Sequence, residues 1–189
     1  MKLFFYDLET TGTNPARHGI HQISGEIVVD GETKETFDYH VRPNPLASIE
    51  PAALEVAGVT KEQIMAYPPM EEIYNQFVEM LARYVDRYDR QDKFFLVGYN
   101  NVSFDNQFLR GFFRQNGDEY FGSWFWPNSI DVMVLATQYL LKERPAMENF
   151  KLATVAARMG IDVDAADLHS ADYDIALTRA IYQKIVGNE

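Results

Sequence analysis

The sequence predicts an α/β fold, in which a mixed β-sheet is flanked by helices, and three observations support it. The chain opens on a short, almost wholly apolar segment, Leu3–Leu8, whose length and composition favour a buried strand over a helix. Two further strand-like segments meet at Asp30-Gly31, a dipeptide typical of a tight hairpin. A second apolar strand, Phe94–Val97, lies among segments with helical spacing. This order is typical of a single α/β domain, which we take to span residues 1–189.

The remaining elements follow from turn and helix signals along the chain. We expect the hairpin strands over residues 20–29 and 33–41. Thr60 is expected to cap a short helix, and Gly58 to end the helix before it. In chain order, helices are predicted over residues 51–57, 60–65, 73–85, 104–114, 132–141, 150–159 and 170–186.

Composition restricts the class of protein. Apolar residues make up 47% of the 189 residues and aromatic residues 14%, which indicates a packed globular protein. The chain has no cysteine, so disulfides, thiolate zinc sites and cysteine nucleophiles are excluded. We find neither a secretory signal pattern nor an apolar run long enough to span a membrane. We therefore expect a soluble, cytoplasmic protein without a membrane partner.

The formal net charge of −11 bears on the choice of partner. Proteins that grip long duplex DNA by its phosphates are usually basic, so a large sequence-independent DNA footprint is not expected. An acidic chain can still act on nucleic acid if metal ions supply positive charge locally and its basic residues are concentrated in a groove. Candidates for that groove, each of which could equally be a solvated surface residue, are Arg17, His18, Arg110, Arg114 and Lys142.

Two carboxylates stand where the first strand runs out. Side chains two residues apart in a strand point the same way, so Asp7 and Glu9 project from one face. Two neighbouring carboxylates repel each other and lose hydration on burial, and a divalent metal ion is the simplest group to compensate them. The alternative is that Glu9 lies in an exposed turn and Asp7 accepts backbone hydrogen bonds.

A third carboxylate, Asp105, opens the helix predicted after Phe94–Val97. It precedes Phe108, Leu109 and Phe112 by three, four and seven residues, which places it on or beside the apolar face. It also follows the strand closely, and open α/β sheets bind ligands at the C-terminal ends of their strands. Alternatively, Asp105 only favours the positive end of the helix, with Ser103 as its N-cap.

The last helix supplies a fourth carboxylate and a histidine. With Ser170 as N-cap, Asp174 shares a face with Thr178 and Ile181 and points inward, whereas Asp172 is a surface charge on the first turn. His169 precedes this helix and lies about one helical turn before Asp174. Taken alone, His169 is more simply a capping or packing residue.

Together these residues suggest one site. Asp7, Glu9, Asp105 and Asp174 would converge at one end of the sheet, with His169 at its rim. Oxygen ligands suit hard ions, so we expect Mg²⁺ or Mn²⁺. Two such ions are the arrangement used for phosphoryl transfer, and His169 would be the general base for an attacking water, since the unperturbed pKa of histidine is near neutrality.

Three segments, namely residues 7–12, 101–105 and 169–174, resemble the motifs of the DEDDh 3′–5′ exonucleases. Their sequences are Asp7-Leu8-Glu9-Thr10-Thr11-Gly12, Asn101-Val102-Ser103-Phe104-Asp105 and His169-Ser170-Ala171-Asp172-Tyr173-Asp174. This family includes the proofreading subunit of DNA polymerase III, exonuclease I and ribonuclease T. The resemblance implies a ribonuclease H-like fold and release of 5′-mononucleotides from a 3′ end. It also implies that Asp7, Glu9 and Asp174 hold the catalytic ions, that Asp105 contributes to the second, and that His169 is the base.

Substrate contacts are less defined. The resemblance suggests that backbone amides around Thr10 and Thr11 hold the terminal sugar, and Asn101 is a further candidate contact. Phe104 could stack on a base or belong to the core, and Tyr99, Trp124 and Trp126 are weaker stacking candidates.

Several functional questions stay open at this point. The partner would be the 3′ end of single-stranded DNA or RNA, since no motif reports on a 2′-hydroxyl. The chain could be a monomer or a homodimer, and the short chain length implies low processivity. A catalytically silent nucleic-acid-binding or interaction module on the same fold is the competing hypothesis.

Overall fold

A mixed five-stranded sheet forms the centre of the molecule. The computed structural model describes residues 1–164 and 170–187. The strands are β1 (Lys2–Thr10), β2 (Ile20–Val29), β3 (Glu32–His40), β4 (Phe95–Gly98) and β5 (Ile130–Asp131). They lie in the order β3-β2-β1-β4-β5, with β1 antiparallel to β2 and parallel to β4. The predicted fold class is confirmed.

The hairpin between β2 and β3 turns at the predicted dipeptide. Asp30 has a φ of 51° and Gly31 a φ of 87°. Two successive left-handed residues define the tight turn that suits antiparallel strands. The sequence did not predict β5, because a strand of two residues is too short to show alternation.

Seven helices are found among the described residues. They are α1 (Pro51–Val56), α2 (Lys61–Ala66), α3 (Met70–Ala82), α4 (Asp105–Gln115), α5 (Val132–Tyr139), α6 (Leu152–Arg158) and α7 (Ala171–Val186). Thr60 caps α2 as predicted, since its hydroxyl accepts from the Gln63 amide at 3.2 Å and its own amide donates to Gln63 Oε1 at 2.6 Å. Ser103 as N-cap of α4 was wrong, because Phe104 occupies that position.

The two faces of the sheet are covered by different helices. Phe4, Tyr6 and Leu8 of β1 face a core built mainly from α3 and α4. The alternate residues Leu3 and Phe5 face a second core with α5, α6 and α7. The alternation places every odd-numbered side chain of β1, as far as the irregularity after Glu9, on the side of α7. Within the described residues, no helix is both long and apolar enough to cross a membrane.

A buried histidine on β2 makes stability depend on pH. His21 is 1% exposed, and neither ring nitrogen has a partner in hydrogen-bond geometry among the described residues. Burial and then His40 lower the pKa of His21 to about 4, against a smaller opposing effect of its own backbone. Between pH 6.5 and about 4 the unfolded chain therefore binds a proton that the folded protein does not, and stability falls as pH falls.

We expect the lowered pKa of His21 to reduce the free energy of unfolding by about 3 kcal/mol by pH 4. It is measured as the difference in free energy of unfolding between the wild type and His21→Leu, followed by urea denaturation from pH 7 to pH 4. The wild type should lose stability relative to the variant only in this window. If the free energies of unfolding of the two proteins change in parallel with pH, His21 takes up its proton in the folded protein as readily as in the unfolded chain.

Candidate metal-dependent active site

β1 carries Asp7 and Glu9 on the part of the strand that extends beyond β4. β1 pairs with β4 only over residues 3–5, whereas it stays paired with β2 as far as Thr10. Asp7 and Glu9 continue the face of Leu3 and Phe5, against which α7 packs. Both carboxylates are half-buried. The predicted pair therefore lies on one face at the C-terminal edge of the parallel strands.

Asp105 reaches the same edge from the other side of the sheet. It is the first residue of α4 and is 5% exposed. Phe108, Leu109 and Phe112 anchor α4 in the core on the Tyr6 face, so its N-terminus is fixed beside β1. Against the larger effect of burial, the backbone of Leu8 acts to lower the pKa of both Asp7 and Asp105, so both carboxylates lie close to the same residue of β1.

α7 places Asp174 against the overhanging part of β1. Ile175, Thr178 and Ile181 are buried on this helix, and Asp174 itself is half-buried. The charge of Asp174 acts on both Asp7 and Glu9, which locates it at the same site. Asp172 is exposed, as predicted.

The four carboxylates oppose one another's ionisation. Burial, followed by the charges of Asp105, Glu9 and Asp174, raises the pKa of Asp7 well above its usual value. Burial and then Asp174 raise the pKa of Glu9 to about 7. Burial is also the main reason that the pKa of Asp105 rises to about 7, against the opposing effect of nearby backbone amides. Carboxylates from β1, α4 and α7 thus share one electrostatic environment that a cation would relieve.

The chemistry of this donor set fits a hard divalent ion. Within residues 1–164 and 170–187, no three histidine, aspartate or glutamate side chains are arranged so that they could hold an ion as they stand. The donors are nevertheless all carboxylate oxygens, which Mg²⁺ and Mn²⁺ prefer. His169, the predicted base, lies outside the described residues.

The hydroxyls of Thr10 and Thr11 hold the turn after β1. Thr10 donates to the Gly12 carbonyl at 2.8 Å, and Thr11 donates to the Ser48 carbonyl at 2.6 Å. The Thr11 amide donates to the Gly19 carbonyl at 2.9 Å. These bonds fix the backbone beside Glu9, so any contact from this segment to a substrate would come from a rigid turn.

Asn101 and Phe104 lie on the loop between β4 and α4. Asn101 is fully buried, and within the described part of the chain neither atom of its amide has a hydrogen-bond partner. Such a group is costly unless a ligand or water pairs with it, which supports its candidacy as a contact. Phe104 is half-buried with its ring 5.0 Å from that of Phe108.

Two other candidates from the sequence, Trp124 and His18, are buried. Trp124 is 1% exposed, so its ring belongs to the core and cannot stack on a base. His18 is 4% exposed, and its Nδ1 accepts from the Asn14 amide at 2.9 Å. The His18 imidazole is held in this loop, in the wall of a cavity of about 270 Å³ that Arg17 also lines.

Asp131 is a positioning residue that sequence reasoning missed. It ends β5, is 7% exposed and caps α5, where Oδ1 accepts from the Met133 amide at 3.0 Å. The same atom accepts from the Asn100 amide at 3.1 Å, and Oδ2 accepts from the Val102 amide at 3.4 Å. Asp131 therefore fixes the loop that leads into Asp105. Its signal was present, since an aspartate directly precedes the helix predicted from residue 132.

Comparison with known proteins gives a consistent result. A family model described as "Exonuclease" matches residues 4–182 of the chain. DNA polymerase III subunit epsilon of Buchnera aphidicola is 28% identical over 182 residues, which are 93% of this chain and 67% of that protein. PolC-type DNA polymerase III of Mycoplasmopsis pulmonis is 23% identical over 177 residues, which are 94% of this chain. The chain spans only 11% of the length of that polymerase.

Solved structures show the same fold. Escherichia coli exonuclease I in its zinc-bound complex with single-stranded DNA superimposes with a TM-score of 0.78 at 20% identity. That match covers 100% of this chain and 41% of the other. The complex of the same enzyme with a dT13 oligonucleotide gives a TM-score of 0.74 at 22% identity, over 98% of this chain and 40% of the other.

Proposed function

Because the chain belongs to the exonuclease family, we propose that it hydrolyses phosphodiester bonds at the 3′ ends of single-stranded nucleic acid and releases 5′-mononucleotides. One observation carries this proposal. The charges of Asp105, Glu9 and Asp174 add to burial in raising the pKa of Asp7, and the charge of Asp174 does the same for Glu9, which supports a common site at the C-terminal edge of the sheet. A silent binding module would gain nothing from such a repulsive cluster.

The carboxylates are the proposed ligands of two divalent ions, Mg²⁺ or Mn²⁺. Bound ions would polarise the scissile phosphate and stabilise the charge on its attacking and leaving oxygens. Asp7, Glu9 and Asp174 would hold these ions, and Asp105 would complete the second position. The raised pKa values of Glu9 and Asp105 support this assignment, because these groups ionise fully near neutral pH only when a cation is present.

Other residues of the chain would position the strand and the proton. The buried, unpaired amide of Asn101 is suited to a polar contact with the terminal nucleotide, and the half-buried ring of Phe104 to a base. The fixed backbone at Thr10 and Thr11 would receive the terminal sugar. His169 would accept the proton of the attacking water.

Single-stranded DNA is the first substrate to test. The exonuclease I structures that share this fold hold single-stranded DNA, and the relatives named above are a DNA polymerase III subunit epsilon and a PolC-type DNA polymerase III. The purified protein is incubated with 5′-labelled oligonucleotide and Mg²⁺, beside a matched RNA oligonucleotide. We expect the wild type to give a ladder of shortened products and the Asp7→Ala variant to give none. If the wild type yields no ladder on either strand, or the variant yields the same ladder, the chain is not this exonuclease.

His169→Ala tests the proposed base. We expect turnover to fall by about 10²-fold or more, since general base catalysis contributes roughly that much. Binding of Mn²⁺, followed by its paramagnetic effect on water relaxation, should stay close to the wild type, because the carboxylates are intact. Unchanged turnover would show that another group accepts the proton.

A further inference from the structure

A groove with basic and aromatic side chains lies at the opposite edge of the sheet from the carboxylates. β1 and β4 are parallel, so the loop before β4 lies at their N-terminal edge, whereas Asp7 and Asp105 follow their C-terminal part. The strand length separates the two regions by roughly 20 Å. The groove has a volume of about 720 Å³ and is lined by Arg87, Tyr88, Arg90, Lys93, Tyr120 and Ser123. We call it the basic–aromatic groove.

Two of the cations of this groove, Arg87 and Arg90, are open to an anionic ligand, whereas the Lys93 ammonium donates to the Gly122 carbonyl. Its lining contains three basic residues and no carboxylate, although the whole chain has a net charge of −11. Within the described part of the chain, neither Arg87 nor Arg90 takes part in an ion pair. The nearby carboxylates of Asp86 and Asp89 accept backbone amides of their own loop, at 3.0 Å and 2.8 Å.

Aromatic rings stand beside these cations. The Arg87 guanidinium lies 6.0 Å from the ring centre of Tyr88 and 5.8 Å from that of Tyr120. It also lies 5.1 Å from the buried ring of Trp124, which fixes its position. Tyr88 is 87% exposed and Tyr120 is 66% exposed. Two large apolar rings are thus kept in solvent at the border of a cationic groove.

We propose that the basic–aromatic groove binds single-stranded nucleic acid at a distance from its 3′ end. Cations that neutralise phosphates and exposed rings that stack on bases are the combination by which proteins bind single strands without reading sequence. An acidic peptide would use the cations but not the two exposed rings. The choice of this ligand rests on the proposed function, because the same strand would have its 3′ end among the carboxylates. The groove would raise the affinity for strands long enough to reach both regions.

The variant Tyr88→Ser/Arg90→Glu tests this proposal. Both side chains are exposed, so the fold should survive the change. Tyr139→Ser/Lys61→Glu is the control, since it also replaces an exposed tyrosine by serine and an exposed cation outside any ion pair of the described residues by glutamate, at α5 and α2. Affinity for a labelled oligo-dT of about thirty nucleotides, longer than the about 4–16 nucleotides that one small binding domain covers, is measured by fluorescence anisotropy over a salt series. A chelator in these mixtures prevents cleavage.

The groove variant should bind the long strand about tenfold or more weakly, while the control variant binds as the wild type does. The slope of log affinity against log salt should become shallower by about 0.7 for each phosphate that the groove no longer neutralises. With Mg²⁺ present, cleavage of an oligonucleotide of about five nucleotides should be unchanged, because it is too short to reach the groove. If the wild type cleaves nothing but the groove variant still loses affinity, the groove stands and the proposed function fails.

Two results would overturn the proposal. Equal affinities of the groove variant and its control for the long strand would show that the groove does not contact nucleic acid. The second result concerns an aspartate-rich peptide. If the wild type binds this peptide and the groove variant does not, while both bind the oligonucleotide equally, the groove belongs to an acidic protein partner.

Discussion

Asp7→Asn is expected to abolish exonuclease activity and, in the absence of metal, to stabilise the fold. Asparagine keeps the shape of the side chain but removes a charge that burial and three neighbouring carboxylates oppose. The loss of this proposed metal ligand should lower kcat/KM by about 10³-fold, as expected for several kcal/mol of transition-state stabilisation. In a chelator, the Tm of the variant should exceed that of the wild type, by about 2–4 °C for each kcal/mol gained.

The gain in metal-free stability of Asp7→Asn over the wild type should increase as pH rises. A carboxyl group whose pKa is raised on folding destabilises the protein as pH rises through that pKa, because the folded state then holds an unfavourable charge. The pKa of Asp7 is raised well above its usual value, so the advantage of Asp7→Asn should be larger at pH 8 than at pH 5. Addition of Mg²⁺ should raise the Tm of the wild type more than that of the variant, since only the wild type retains all four proposed ligands.

Asp172→Asn is the matched control for this experiment. Asp172 carries the same functional group two residues before Asp174, yet it is exposed on α7. We expect neither its activity nor its metal-free Tm to change appreciably. If Asp7→Asn instead lowered the metal-free Tm, the Asp7 carboxylate would be a stabilising hydrogen-bond acceptor, as in the alternative interpretation of the sequence.

Asp131→Ala is expected to impair both stability and turnover, although Asp131 is not one of the four carboxylates of the cluster and acts directly on Asp105 only through its charge. The substitution leaves the amides of Asn100, Val102 and Met133 without their acceptor at a buried position. Loss of the cap and of these bonds should lower the free energy of unfolding by about 2–4 kcal/mol. Because the loop leads directly into Asp105, a shift of about 1 Å there should lower kcat by about 10²-fold.

Thr60→Ala separates the two effects of Asp131→Ala. Thr60 also caps a helix, α2, through hydrogen bonds to Gln63, but that helix contributes no side chain to the carboxylate cluster. We expect Thr60→Ala to cost about 1 kcal/mol of stability and to leave kcat unchanged. Chemical denaturation and steady-state kinetics on the same preparations provide the comparison. An unaltered kcat in folded Asp131→Ala would show that the loop holds its position without this carboxylate.

Local signals were sufficient for most elements of the fold. Asp30-Gly31 predicted the hairpin turn, because two left-handed residues are needed there and few dipeptides accept them. The side-chain period of a strand likewise predicted that Asp7 and Glu9 share a face. Ser103 misled the assignment of the α4 N-terminus, since a serine that could cap a helix does so only if the chain enters the helix at that residue.

The sequence predicted only in part that the four carboxylates lie together at one site. Nothing local in the sequence brings Asp174 to β1, because their contact depends on how α7 packs across the sheet. The resemblance of the motifs supplied that link. The role of Asp131 was missed because β5 is too short to recognise, and Trp124 was misjudged because an aromatic loop can be either exposed or folded into the core.

Because side chains alternate along β1, the face to which Asp7 and Glu9 point depends on how many residues precede them in the part of the strand that extends beyond β4. Asp7 and Glu9 face α7 because each is an even number of residues from Leu3 and Phe5. Deleting or inserting a single residue before Asp7 would turn both carboxylates towards the α3–α4 core, where Phe4 and Tyr6 pack. A substitution in this strand therefore alters one side chain, whereas a change in its length would relocate both carboxylates in a single step.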